Sequence, residues 1–304
     1  MSLAGLKYFL TKPGGWFFFL QSRGLLNWMD DEAYLKRLYR YSMGCELPLD
    51  DPKTFNEKLQ WLKLHDRRPL YTKLVDKYEV KAYVAEKIGA EYVVPVIAGP
   101  WDSADEIDFD ALPEQFVLKC THDSGGVVIC RDKAAFDREA ARAKLRKTLR
   151  RNFYWAGREW PYKDVKPRVF AERYMEDESG ELRDYKVMCF GGEPKLIQLH
   201  MGRFTHHTQD FYDTDWNLLP IYQGTPLSGS AVPRPAFLDE MLRLSRRMAE
   251  GFIQIRLDWF CVEGRLYFGE YTFFDASGCE NFEPDEYNRI MGDWIRLPAE
   301  REQT

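Results

Sequence analysis

Paired cysteine, surplus positive charge and any long apolar run are what this chain has least of. Its 6 cysteines, Cys45, Cys120, Cys130, Cys189, Cys261 and Cys279, include no CxxC pair. Most stand in apolar, strand-like runs, where reduced cysteine acts as a small hydrophobe. Neither a thiolate metal site nor a disulfide framework is expected, and a reducing compartment is. Lys and Arg total 43 against 48 Asp and Glu, a net charge of −5, which argues against a nucleic-acid partner. The apolar segment Trp16 to Leu20 lies between Pro13-Gly14-Gly15 and Gln21-Ser22-Arg23. It is far short of the ~20 residues that span a bilayer, and no small-residue cleavage site adjoins it. The expectation is no transmembrane segment, with Trp16 to Leu20 packed on the body or a partner, or in peripheral contact with a membrane.

What is present describes an ordinary soluble globular protein: 304 residues, 45% hydrophobic and 30% charged. That length suffices for one large domain or two closely packed smaller ones. Aromatic residues reach 15% and fit a bulky core better than a glycan-stacking surface.

Helical spacing of Ala33, Tyr34, Leu38 and Tyr41 predicts a helix over 30–41. Thr54 and Glu57 form a capping box that opens a second over 54–64. A third is expected over 71–88, ending at Gly89, followed by a strand over 92–97. Strand pairs then take over: 116–121 with 127–130, then 169–175, 185–190 and 194–199. A basic helix over 138–151, an amphipathic helix over 237–252 and a last hairpin, 255–262 with 266–273, complete the pattern. The expected organisation is α+β. A helical region (1–70) and a short segment (71–114) lead into two α+β lobes, 115–190 and 191–304.

Lys119 is the first candidate for chemistry. It shares a strand face with Val117 and Thr121 and is costly to bury without an anion. The loop Ser124-Gly125-Gly126 follows, able to turn backbone N–H groups toward phosphate; an edge lysine beside a hairpin turn is the plain alternative. In the last hairpin, a three-residue loop Glu263-Gly264-Arg265 would set Asp258 opposite Glu270 and Arg256 opposite Thr272. Facing carboxylates about 5 Å apart repel, and so call for a cation such as Mg²⁺. Arg256 could hold a phosphoryl group. The plain alternative is a hairpin with one solvated face.

The order Asp76-Lys77, Lys119 with its Ser-Gly-Gly loop, Glu172-Arg173-Tyr174-Met175, Arg256-x-Asp258 and Glu270-x-Thr272 resembles the ATP-grasp superfamily. The segments Pro52-Lys53-Thr54-Phe55-Asn56-Glu57-Lys58-Leu59-Gln60-Trp61 and Phe268-Gly269-Glu270-Tyr271-Thr272-Phe273 are similar to its TupA-like branch, associated with teichuronopeptide and surface-polysaccharide biosynthesis. The resemblance covers about Leu47 to Pro298. It implies an ATP-grasp fold, two lobes clamping ATP and Mg²⁺. It also implies a cytoplasmic carboxylate–amine ligase that forms an amide through an acylphosphate, on a small-molecule or glycan carboxylate.

By the same resemblance Lys77 and Lys119 hold phosphates, with Ser124, Gly125 and Gly126 closing over them as a lid. Glu172 and the backbone of Arg173, Tyr174 and Met175 read adenine, Asp184 the ribose, and Lys186 reaches the γ-phosphate. Asp258, Glu270 and Thr272 ligate magnesium, Thr272 standing where the superfamily usually has Asn. Lys119, Lys186 and Arg256 are the expected catalytic residues. His200, Arg203, Ser277 and Gly278 are candidates for the substrate end, and a solvated loop is the equal alternative for the first two. His65 reads as surface helix and His122 as a flank of the phosphate loop. The rival reading is a metal-dependent glycosyltransferase using Asp213-Thr214-Asp215, although those residues fit a turn better. A non-catalytic glycan-binding module is a third.

Overall fold

The computed structural model describes residues 14–177, 180, 182–203 and 205–298. The expected segments 1–70 and 191–304 therefore extend at their outer ends beyond the described residues. Helices α1 (Gly15–Ser22), α2 (Asp31–Met43) and α3 (Phe55–His65) lead in. Asp30 caps α2 through Ala33 N, and the Thr54–Glu57 capping box opens α3. The single helix expected over 71–88 is two, α4 (Pro69–Val75) and α5 (Val80–Ile88). Between them the Asp76 carboxylate accepts from the N–H groups of Tyr78 (2.8 Å) and Glu79 (3.0 Å), which turns the chain at Lys77.

Four strands make the smaller sheet, in the order β1 (Val96–Trp101), β4 (Val169–Arg173), β2 (Phe116–Cys120), β3 (Val127–Cys130). Helix α6 (Arg138–Leu149) lies between β3 and β4 in sequence, and its Ala141 and Leu145 join the core under Phe116, Leu118 and Ala171. A short turn of helix, α7 (Tyr154–Gly157), follows. The larger sheet has six antiparallel strands in the order β10 (Arg265–Thr272), β9 (Gln254–Val262), β5 (Asp184–Phe190), β6 (Glu193–Met201), β7 (Thr208–Tyr212), β8 (Leu218–Leu219). Helices α8 (Leu238–Ala249) and α9 (Glu286–Trp294) complete the chain. Strand β5, counted with the first lobe from sequence, pairs with β6 and β9, so the chain changes sheets between Arg173 and Asp184.

Strand alternation sorts the larger sheet into two faces. Tyr185, Val187, Leu199, Leu257, Trp259 and Tyr271 point to one face and share the main core with Met241, Leu244 and Met248 of α8. Lys186, Gln198, His200, Arg256, Asp258 and Glu270 point to the other, toward the smaller sheet. A small apolar cluster of Val94, Met175, Phe260 and Tyr267, with Leu182, ties the two sheets together along one edge.

Candidate functional site

Between the sheets lies a cavity of about 730 Å³. Its floor is a cross-strand row set by register: Glu270 opposite Asp258, Asp258 opposite Lys186, Lys186 opposite Gln198. The expected pairing of Asp258 with Glu270 and of Arg256 with Thr272 is present, by a different route. The hairpin loop has two residues, with Arg265 already paired to Val262, and a bulge at Gly269 restores the missing step. Glu263 (φ 51°) and Gly264 (φ 76°) make the tight turn. At Gly269 a Cβ would press on the Asp258 carbonyl at 3.1 Å.

The facing carboxylates are not left to repel. Asp258 is bonded to Lys186 Nζ and accepts from Arg256 Nε (2.7 Å) and Nη2 (2.9 Å). Arg256 also binds Asp275 and Thr272 Oγ1 (3.0 Å). Glu270 pairs with Lys77 Nζ at 3.2 Å. Burial pushes the Asp258 carboxyl up, but Arg256 and Lys186 outweigh it and hold it at about 2. Glu270 is likewise lowered against burial, chiefly by Lys77. Both are anions at neutral pH, and their oxygens are hard donors of the kind that Mg²⁺ accepts. Among the described residues no group of three His, Cys, Asp or Glu converges on a metal position.

On the opposing wall Lys119 reaches Glu172 at 2.5 Å, and Lys81, behind it, reaches the same carboxylate at 2.5 Å. Burial opposes charge on Glu172, yet the two lysines lower its pKa. The wall continues through Val117, Val127 and Ile129, past Ser124 and Gly125, to Tyr174, Met175 and Leu182. At the other end stand Gln198, His200, Arg203, Gln209, Gln223, Thr225, Asp275 and Glu280. His200 is neutral: burial, then the charges of Lys186, Arg203 and Arg256, drive it down to about 2. Its Nδ1 bonds His207 Nε2 at 3.0 Å.

A sequence-family profile described as TupA-like ATPgrasp matches residues 57–296. The chain belongs to the TupA-like ATP-grasp family. The structure is similar in fold to the ATP-complexed D-alanine–D-alanine ligase of Bacillus anthracis (16% identity, 73% of this chain and 65% of that one, TM-score 0.41). It is also similar to the L-amino acid ligase of Bacillus licheniformis (12%, 92% and 63%, 0.45) and to N5-carboxyaminoimidazole synthetase of Staphylococcus aureus (13%, 80% and 56%, 0.39). The chain spans less than two thirds of the length of each. No curated protein matches the sequence.

This TupA-like ATP-grasp chain gathers most of the residues singled out from sequence into the one cavity: Lys77, Lys119, Ser124, Gly125, Glu172, Arg173, Tyr174, Met175, Asp184, Lys186, His200, Arg203, Arg256, Asp258 and Glu270. Several stand in other company than expected. Lys119 has a protein counter-ion, and the Glu172 carboxylate is taken by two lysines rather than left for an adenine edge. The Arg173 amide is spent on Pro95 O (3.0 Å), so Tyr174 and Met175 carry the free end of β4. Asp184 pairs with Arg203 at 2.7 Å.

Gly126 does not line the cavity; its carbonyl accepts from Cys120 N. Nor does Thr272, whose hydroxyl lies between Arg256 and Glu270. Ser277 and Gly278 lie elsewhere. Lys63 Nζ binds Ser277 O and Oγ (2.9 Å each), and Gln60 Nε2 binds Gly278 O (2.8 Å), tying that loop to α3. His122 is buried, its Nε2 against the carbonyls of Thr148 and Arg151, and the His65 ring packs at a tilt against Trp61. Asp213 closes the turn from β7 to β8 by accepting from Asp215 N and Asn217 N, away from the cavity. Lys81, Asp275, Gln198, Gln209, Gln223 and Glu280 were not singled out. The partners of Lys81, Asp275 and the three glutamines are far along the chain, and no local pattern marks them or Glu280.

The depressed Asp258 pKa gives a pH expectation. A carboxylate stabilised when charged contributes fully above its unfolded pKa of about 4 and loses that contribution as pH falls toward 2. The difference in melting temperature between wild type and Asp258→Asn should therefore shrink steadily from pH 5 to pH 2.5. A constant difference across that range contradicts the ion-pair assignment.

Proposed function

We propose that this chain is an ATP-dependent carboxylate–amine ligase, forming an amide on a surface polysaccharide or its sugar precursor. The observation that carries it is the row Glu270–Asp258–Lys186 facing Lys119 and Lys77 across one cavity, two ionised carboxylates beside cations on both walls. Lys77, Lys119 and Lys186 would hold the phosphates under the Ser124–Gly126 loop. Asp258 and Glu270 would hold Mg²⁺. The apolar slot of Val117, Ile129, Met175, Leu182 and Phe260 would take the adenine beside the Tyr174–Met175 backbone, with Asp184 toward the ribose.

Bound ATP with Mg²⁺ supplies the phosphoryl group that activates a carboxylate. The chain's own part is positioning and electrostatics: the lysines and Arg256 stabilise charge on transferred oxygens without a protein nucleophile. The two sheets exclude water from an activated carboxyl. Arg203 and His200, which is neutral, would face the substrate. The setting we propose is cytoplasmic, where ATP is the donor. No described helix is long and apolar enough to cross a membrane.

Binding to the native state alone raises the melting temperature with ligand concentration. ATP with Mg²⁺ should do so, and UDP-sugars with Mn²⁺ should not; the opposite pattern transfers the case to a glycosyltransferase. An ADP-release screen of uronic acids against amino acids then identifies the substrates. ADP release that never requires a carboxylate and an amine together overturns the ligase reading.

A further inference from the structure

We infer that the end of the cavity formed by Gln198, Gln209, Gln223 and Glu280 is a subsite for a primary ammonium group. That this ammonium belongs to the amine partner of the ligation rests on the ligase reading; the subsite itself does not.

The orientation of three amides leads there. The Asp275 carboxylate is the ion-pair partner of Arg256 and presents acceptor oxygens. Gln198 Nε2 (3.2 Å) and Gln223 Nε2 (3.0 Å) both donate to its Oδ2. Neither amide can flip without setting an oxygen against that carboxylate. Gln223 Oε1 consequently faces away and accepts from Gln198 Nε2 (3.1 Å) and Gln209 Nε2 (3.0 Å). What remains is Oε1 of Gln198 and Oε1 of Gln209, neither with a partner among the described residues. Both side chains line the cavity, in residues only 1% and 4% exposed.

Glu280 shares this wall, its carboxylate lying over Gly224 next to Gln223. Among the described residues it has no ion pair and no side-chain hydrogen bond. Burial and the neighbouring Asp275 charge raise its pKa, the mark of an anion without a counter-ion. Nearby cations are spent, Arg256 on Asp258 and Asp275, Arg203 on Asp184. An uncompensated carboxylate beside two unpaired carbonyl oxygens suits a cation with several N–H donors. It would repel a carboxylate or a phosphate. Gln209 and Gln223 each keep one N–H, enough to hold a hydroxyl or carbonyl next to the ammonium.

The test is a ligand-observed NMR titration of the full chain with three probes: ethanolamine, ethylene glycol and tetramethylammonium. Ethanolamine should bind in the millimolar range, as fits so small a ligand. The neutral diol and the cation lacking N–H should bind at least about 10-fold more weakly. Glu280→Gln should weaken ethanolamine by about 10- to 100-fold, the usual worth of a hydrogen bond to a charged group. Glu280→Lys, which brings its own ammonium, should abolish binding. The melting temperature of each variant without ligand is the control that it is folded, and Mg·ATP affinity is measured alongside. Equal ethanolamine binding by wild type and Glu280→Gln, or ethylene glycol binding as tightly, overturns the subsite. Absence of Mg·ATP binding by wild type would instead sink the ligase reading and leave the ammonium subsite standing.

Discussion

Asp258→Asn should lower the stability of the ligand-free protein by about 3 kcal/mol, the scale expected when a buried ion pair loses one member. Asp258 is 4% exposed and lies between Lys186 and Arg256. A neutral amide leaves Lys186 without its close carboxylate and Arg256 with Asp275 and the more distant Glu270 (3.7 Å). Two carboxylates facing each other with no cation between them would repel, and neutralising one would then leave apo stability equal or higher. The cations that settle the matter come from β5, β9 and the break before α5. Glu270→Gln tests the difference between the two carboxylates. The Glu270 side chain is 34% exposed and holds Lys77 at 3.2 Å, so its loss should cost no more than about 1 kcal/mol. Both variants should lose nearly all ATP turnover, and the two losses should not add if they serve one ion. Urea melts of both proteins without ligand, with ADP release measured alongside, check the pair. Equal stability costs would mean that the ion pairs with Lys186 and Arg256 contribute little.

Glu172→Gln should have an effect of similar size in the smaller lobe. Its side chain, 5% exposed, is the shared counter-ion of Lys81 and Lys119. Removing the charge leaves two largely buried lysines facing each other, at a cost of about 3–5 kcal/mol. ATP phosphates would then supply the missing anion to Lys119. The rise in melting temperature produced by Mg·ATP should be at least as large in Glu172→Gln as in wild type. If Glu172 instead reads the adenine, that rise should fall sharply while the unliganded protein keeps its stability. Thermal melts with and without Mg·ATP separate these outcomes.

Legibility in the sequence followed the range of the interaction. The Thr54–Glu57 capping box is local and was readable directly. The last hairpin was readable for its outcome and not its path: a loop taken one residue too long and an unseen bulge at Gly269 cancel, so Asp258 still meets Glu270. The break at Lys77 was hidden because Asp76 turns the chain by capping two amides, without the Gly or Pro that usually announces a turn. Alternation placed Lys119 on a cavity face but could not supply Glu172 as its partner, which comes from the neighbouring strand β4. The Gln198–Gln223–Asp275 contacts join β6, the loop after β8 and the loop after β10. Each of those residues alone reads as an ordinary polar side chain. Ser277 and Gly278 misled for the same reason, since only the fold brings Lys63 and Gln60 to them.

The central claim is that one cavity binds ATP through magnesium held by Asp258 and Glu270. Isothermal titration of a non-hydrolysable ATP analogue into wild type and Glu270→Gln, each with Mg²⁺ and with EDTA, tests it most directly. Glu270 is the better choice because its replacement should leave the fold nearly undisturbed. The account predicts that Mg²⁺ tightens binding to wild type by at least about 10-fold and that Glu270→Gln loses most of that gain, keeping only the metal-free affinity supplied by Lys77, Lys119 and Lys186. A Mg²⁺ effect of the same size in both proteins would contradict it.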